Sequence, residues 1–142
     1  MRTMKHILKS FQKEAVVKKI SATLNRECEE IIAAYLFGSF VTEDSFSDID
    51  LGVVTHMEPD SPLNYEFNLE SKLESIIKYP MDIRILNQAP LSFCQNVIRN
   101  GRIVVDRDPN RRADFEGLIL KEYFDFAPFR RRYLSEVKNA PV

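Results

Sequence analysis

The chain predicts an α/β fold, a small mixed sheet flanked by helices with a helical C-terminal extension, on three observations. Apolar residues switch repeatedly between helical spacing and strand-like runs along the 142 residues. The strand-like runs are short, and the first of them, Ile31 to Phe37, is closed by Gly38. No repeat, low-complexity tract or Gly/Ser linker divides the chain, so the expected organisation is one domain over 1–142, with a core of about 13–100 and a helical extension of about 108–138.

The elements follow in order. Ile7, Leu8, Phe11 and Ala15, then Val16, Ile20 and Leu24, recur as in one long or two short helices. Ile31 to Phe37 is a continuous apolar run closed by Gly38, as in a buried strand. From Asp48 to Val54 the chain alternates, with Ile49, Leu51 and Val53 on one side and Asp48, Asp50 and Gly52 on the other. Ser61-Pro62 opens a helix whose apolar face is Tyr65, Leu69, Leu73 and Ile76, and Pro80 ends it. Met81, Ile83 and Ile85 alternate with Asp82 and Arg84 in a third strand. Pro90 and Gly101 bracket a short helix, and Arg102 to Asp106 has the composition of another short strand. Asp108-Pro109 starts a helix with Phe115, Leu118, Ile119 and Tyr123 inward, and Pro128 interrupts it before a basic helix through Val137.

Composition narrows the function. At 44% hydrophobic and 29% charged the chain reads as a globular protein, with no apolar run of the ~20 residues that span a bilayer. No secretory signal is expected. Cys28 and Cys94 have no partner spacing and read as reduced, partly buried cytosolic thiols. His6 and His56 lack ligand spacing and read as surface residues. The net charge of −1 hides an uneven spread: residues 28–98 hold twelve acidic and three basic side chains, between two basic flanks. An acidic centre argues against direct nucleic-acid binding, and it accepts a polyanion only together with cations. Arg130 to Arg132 read as a solvated face, with Phe129, Tyr133 and Val137 inside. The aromatics Phe115, Tyr123, Phe124, Phe126 and Phe129 suit a partner surface and a sheet cover equally.

The chemistry concentrates in Tyr35 to Val54. Gly38 at a strand end lets backbone approach an anion closely, and Ser39 adds a hydroxyl beside it. Asp48 and Asp50, two apart on a strand, leave the same face with Cα atoms about 6.5–7 Å apart. Carboxylates so placed converge on divalent cations, and magnesium takes one or two of them together with phosphate oxygens and water.

This segment resembles the motif of the DNA polymerase beta-like nucleotidyltransferases, especially their minimal nucleotidyltransferase branch. The resemblance implies Gly38 and Ser39 as binders of the triphosphate of ATP, Asp48 and Asp50 as ligands of Mg2+, two ions in all, and Asp82 as the third carboxylate. Asp82 would then also take the proton of the attacking hydroxyl; as a strand residue alone it reads as an acid paired with Arg84. Between Ser39 and Asp48 this chain has eight residues where the family commonly has ten, and it lacks the usual Arg-Gly after the motif's start. A shorter helix or turn is therefore expected, with Glu43 and Asp44 near the phosphates. The segments Asn87 to Pro90, Gly101 to Asp106, Arg112 to Phe115 and Tyr123 to Pro128 extend the resemblance to the MNT-type antitoxins of HEPN–MNT toxin–antitoxin pairs. The implied reaction is transfer of AMP from ATP to a tyrosine of a HEPN ribonuclease toxin, in a cytoplasmic hetero-oligomer. Two other readings fit the same residues: a nucleotidyltransferase acting on a small molecule, and a non-enzymatic module that caps a toxin with a decayed nucleotide site.

Overall fold

The computed structural model describes residues 4–132. The elements in chain order are β1 (His6–Ile7), α1 (Ser10–Glu27), β2 (Ile31–Phe37), α2 (Ser39–Thr42), β3 (Ser45–Phe46), β4 (Ile49–Thr55), α3 (Pro62–Ile77), β5 (Met81–Ile85), α4 (Leu91–Asn100), β6 (Arg102–Asp106) and α5 (Pro109–Asp125). Four strands form one mixed sheet in the order β5-β4-β2-β6. β2 runs antiparallel to both β4 and β6, while β4 and β5 are parallel and joined through α3. The α/β architecture expected from the alternating patterns is the one observed.

β2 is apolar throughout because both of its faces are covered. Ile31, Ala34 and Leu36 pack with α1 and α3, alongside Ile49, Leu51 and Val53 of β4 and Ile83 of β5. Ala33 and Tyr35 face the other way, against Cys94 and Val97 of α4 and Ile119 of α5. Such fully buried aliphatic side chains contribute about 1.5–3 kcal/mol each, so the central strands are the most firmly held part of the sheet. Both cysteines are free and fully buried, more so than their spacing alone implies.

The open edge of β5 is closed by acidic side chains, a feature that apolar periodicity does not reveal. Glu66, Glu70 and Glu74 lie one helical turn apart on α3. Their carboxylates accept from the backbone amides of Ile85 at 2.9 Å, Ile83 at 2.8 Å and Met81 at 2.8 Å. A helix repeat of four thus matches a strand repeat of two, and an unpaired sheet edge acquires partners. Between β5 and β4, the Asn87 side chain bonds both the amide and the carbonyl of Thr55, at 3.0 and 2.9 Å, extending the ladder past the end of β5. Arg107 donates to the carbonyls of Leu24, Asn25, Cys28 and Ile31, which closes the C-terminus of α1 onto the sheet.

The ends of the chain depart from the sequence expectation. Ile7 and Leu8 are not helical: Ile7 belongs to β1, which pairs with β3, and α1 starts only at Ser10. Ile7 and Phe11 are exposed, so the first part of the apolar pattern is not a buried face. His6 is half-buried against Phe46 and Tyr79 rather than on the surface. At the other end α5 breaks at Phe126, and residues 127–132 are helical again, with Pro128 in the first turn of the new segment. Ile119 is buried, but Leu118, Phe124, Phe126 and Phe129 are exposed. Of the expected aromatics, Phe115 packs against the sheet with Ile119 whereas Phe124, Phe126 and Phe129 do not, and Arg130 stacks over Tyr123 at 3.7 Å instead of facing solvent alone. The expected positions of Tyr133 and Val137 lie outside the described residues. No described helix is long and apolar enough to cross a membrane.

Candidate active site

The site lies where β2, β4 and β5 end or begin together. Gly38 leaves β2 with φ 76°, a left-handed conformation that favours glycine. Space demands glycine there as well: a Cβ on Gly38 would stand 2.1 Å from the Asp50 Oδ2 atom. The carboxylate of Asp50 is thus packed directly against the backbone at the end of β2. Ser39 opens the single turn of α2, in which the amides of Val41 and Thr42 bond the Gly38 carbonyl at 3.0 and 3.2 Å.

Asp50 points to the α4 and α5 side of the sheet, opposite to Ile49 and Leu51, which are buried against α1 and α3. Its register partner on β5 is Asp82, so the two carboxylates stand side by side on adjacent strands. Asp48 comes from the bend just before β4, one residue short of the strand expected for it. The Ile49 amide bonds the Pro80 carbonyl at 2.9 Å, which fixes the start of β4 beside the start of β5. The outcome is a cluster in which one ligand atom each from Asp48, Asp50 and Asp82 lies within 4.8 Å of the others. All three are half-buried.

Burial first, and then the negative charges of Asp48 and Asp82, raise the Asp50 carboxyl to a pKa of about 6, with Arg84 opposing them. Arg84 meets Asp82 at 3.4 Å, so Asp82 has both the partner expected of an isolated strand acid and a place in the cluster. One exposed arginine does not balance three converging carboxylates. The cluster offers hard oxygen donors with no nitrogen or sulfur among them, and this donor set fits a magnesium ion. Beyond Arg84 a cavity of about 580 Å³ opens between α3, β5 and α4, lined by Leu63, Glu66, Ile85, Ala89, Pro90 and Phe93. Phe93 also meets Phe37 edge-on, with ring centroids 5.5 Å apart.

The structure brings together all five residues singled out in the sequence: Gly38, Ser39, Asp48, Asp50 and Asp82. The eight-residue spacer forms the expected short turn, then an exposed bend at Glu43 and Asp44, then β3. Sequence reasoning missed the cavity, because its lining comes from three separate elements.

Comparison with known proteins agrees with this geometry. Residues 18–110 match the family model described as polymerase beta, nucleotidyltransferase. No curated protein sequence matches the chain. Among solved structures, it is similar to a chain of a toxin–antitoxin complex, MntA–HepT, with a TM-score of 0.71 at 22% identity over 88% of this chain and 98% of that one. A chain of a complex between a tri-AMPylated Shewanella oneidensis HEPN toxin and an MNT antitoxin gives a TM-score of 0.72 at 23% identity, covering 89% and 98%. A toxin–antitoxin structure with AMP-PNP gives 0.72 at 24%, covering 86% and 98%. At such identities the structures establish the shared fold, while the family model spans well over half of the chain. The chain belongs to the polymerase beta nucleotidyltransferase family.

Proposed function

We propose that this protein is a magnesium-dependent nucleotidyltransferase that moves AMP from ATP to a tyrosine hydroxyl of a HEPN-type toxin and thereby silences it. The observation that carries the reading is the convergence of Asp48, Asp50 and Asp82 beside the Gly38-Ser39 turn. Similar structures, an AMPylated HEPN toxin with its MNT antitoxin and a toxin–antitoxin structure with AMP-PNP, support the choice of nucleotide and partner.

In this reading the Gly38-Ser39 backbone and the Ser39 hydroxyl hold the triphosphate. Asp48, Asp50 and Asp82 would hold magnesium, which when bound neutralises phosphate charge and polarises the phosphorus–oxygen bonds. The tyrosine oxygen attacks the α-phosphorus in line, the bond to the β-phosphate bridging oxygen breaks, and pyrophosphate leaves. The tyrosine proton passes to Asp82, which stands on the strand facing the cavity beyond Arg84. That cavity gives the acceptor an approach lined by apolar and aromatic side chains. The contribution of the protein is placement and preorganised charge rather than covalent chemistry.

The reading is tested by incubating the protein, a HEPN-type partner and magnesium with ATP labelled at either the α- or the γ-phosphate. Label from the α-phosphate alone is expected on the partner. Label from the γ-phosphate, or from neither, would reject AMP transfer. The non-enzymatic alternative draws on the short spacer, but an intact carboxylate cluster is hard to reconcile with a decayed site.

A further inference from the structure

One side chain of α1 reaches across to the turn between Gly38 and Asp48. Lys13, on α1, donates from Nζ to the carbonyls of Phe40 at 2.9 Å and Glu43 at 2.7 Å. Its ammonium also lies 5.3 Å from the centroid of the Phe40 ring and 5.9 Å from that of Phe46. Those two rings meet edge-on at 4.9 Å, and both are buried. Phe46 is the anchor of β3, which pairs with β1 just ahead of α1. One N-terminal segment therefore grips both the first turn of the spacer and its far end.

α2 needs such a grip. Its four residues close on two amides to Gly38 and one, from Glu43, to Ser39, and a lone helical turn is unstable by itself. Lys13 places a positive charge against the carbonyls at the C-terminal end of this turn, where a cation is favoured. The spacer is also two residues shorter than the family commonly has, which leaves little slack between Ser39 and the carboxylates. A shift of Phe40 or Phe46 is passed directly to Ser39 on one side and to Asp48 on the other.

We infer that Lys13 is a positioning residue: by fixing α2 and Phe46 it sets the placement of Ser39 relative to Asp48 and Asp50, and so governs how tightly magnesium and nucleoside triphosphate bind. Lys13 itself touches none of the five site residues through its side chain; it acts through the carbonyls of Phe40 and Glu43. The inference rests on the nucleotide-binding reading, and its test separates the two.

The full chain is prepared as wild type, Lys13→Met and Lys13→Arg. Amide hydrogen exchange is followed over residues 39–47 without nucleotide, and magnesium–ATP affinity is measured by calorimetry. In Lys13→Met, exchange over 39–47 is expected to quicken about tenfold, the scale of one charge-assisted hydrogen bond, with α3 and β5 unchanged. The dissociation constant should rise about tenfold, and Lys13→Arg, which keeps charge and donors, should recover most of both effects. Unchanged exchange over 39–47 overturns the inference. So does faster exchange spread equally over α3 and β5, which marks general destabilisation, or local loosening with unaltered affinity, or an arginine variant no better than methionine. If wild type binds no magnesium–ATP, the nucleotide reading fails and the positioning role with it, whereas local loosening would still identify Lys13 as a structural clamp.

Discussion

At Gly38 two requirements coincide, a positive φ and room for the Asp50 carboxylate, and neither alone explains why a side chain is intolerable there. The same close packing accounts for the unusual state of Asp50. Its carboxyl is raised to about 6 by burial first and by the neighbouring acids second. Because the folded value lies above the ordinary 3.8, protonated Asp50 favours the folded chain. In metal-free protein this stabilisation is fully present below about pH 3.8 and is lost as the pH rises through about 6. Asp50→Asn removes the loss. Thermal melts in chelator should therefore show the variant gaining on wild type between pH 4 and pH 7.5. Saturating magnesium should shrink or reverse that gain. A difference between variant and wild type that stays constant across this range would mean that burial of the charged form is not costly. Asp48 and Asp50 were legible in the sequence because two residues on a strand define a face without any knowledge of the fold. Asp82 was legible only through the family resemblance, since its neighbour Arg84 gives it an equally good local explanation.

Among the elements, α3 has two duties that its apolar pattern displays unequally. Leu69, Leu73 and Ile77 bury one stripe, while Glu66, Glu70 and Glu74 turn along the edge of β5 and accept its amides. Nothing in the sequence singles these glutamates out, because their partners are backbone groups brought alongside only by the parallel pairing of β4 and β5. Burial raises the Glu70 carboxyl, and the bond from the Ile83 amide works against that rise. Glu70→Ala should cost about 1–3 kcal/mol, the usual penalty for leaving a buried amide without an acceptor. Glu70→Gln, which keeps an accepting oxygen, should cost less. Chemical denaturation measures both, and equal stability of wild type and Glu70→Ala would show that water replaces the carboxylate freely. The N-terminal pattern misled for a related reason. Ile7 and Phe11 have helical spacing with Ala15, yet both are exposed, and the pairing of β1 with β3 makes Ile7 extended while Phe11 stays in α1. Strand pairing between distant segments is invisible to periodicity.

The whole molecule puts its acids and its candidate site in the same place. The acidic middle of the chain holds both the carboxylate cluster and the glutamates along β5, with basic segments on either side of it in sequence. The order of the longer helices and strands could be read from sequence because it rests on local pattern, whereas β1 and β3 could not. The sheet order, the cavity beyond Arg84 and the grip of Lys13 could not, because each is made by residues distant in the chain. Exposed Leu118, Phe124, Phe126 and Phe129 leave an apolar surface that the described part of the chain does not itself cover. The proposed silencing of the toxin is chemical and works from the Asp48, Asp50 and Asp82 cluster. AMP added to a tyrosine brings bulk and negative charge to a site that must accept RNA phosphates, so its effect outlasts contact. The most direct measurement is the intact mass and ribonuclease activity of the HEPN partner after incubation with ATP and magnesium, once this protein has been removed, using wild type and Asp48→Asn with Asp50→Asn. The account predicts one or more AMP additions and lasting inactivity with wild type, and neither with the double variant. A partner left unmodified, yet inhibited equally by both while bound, would contradict it.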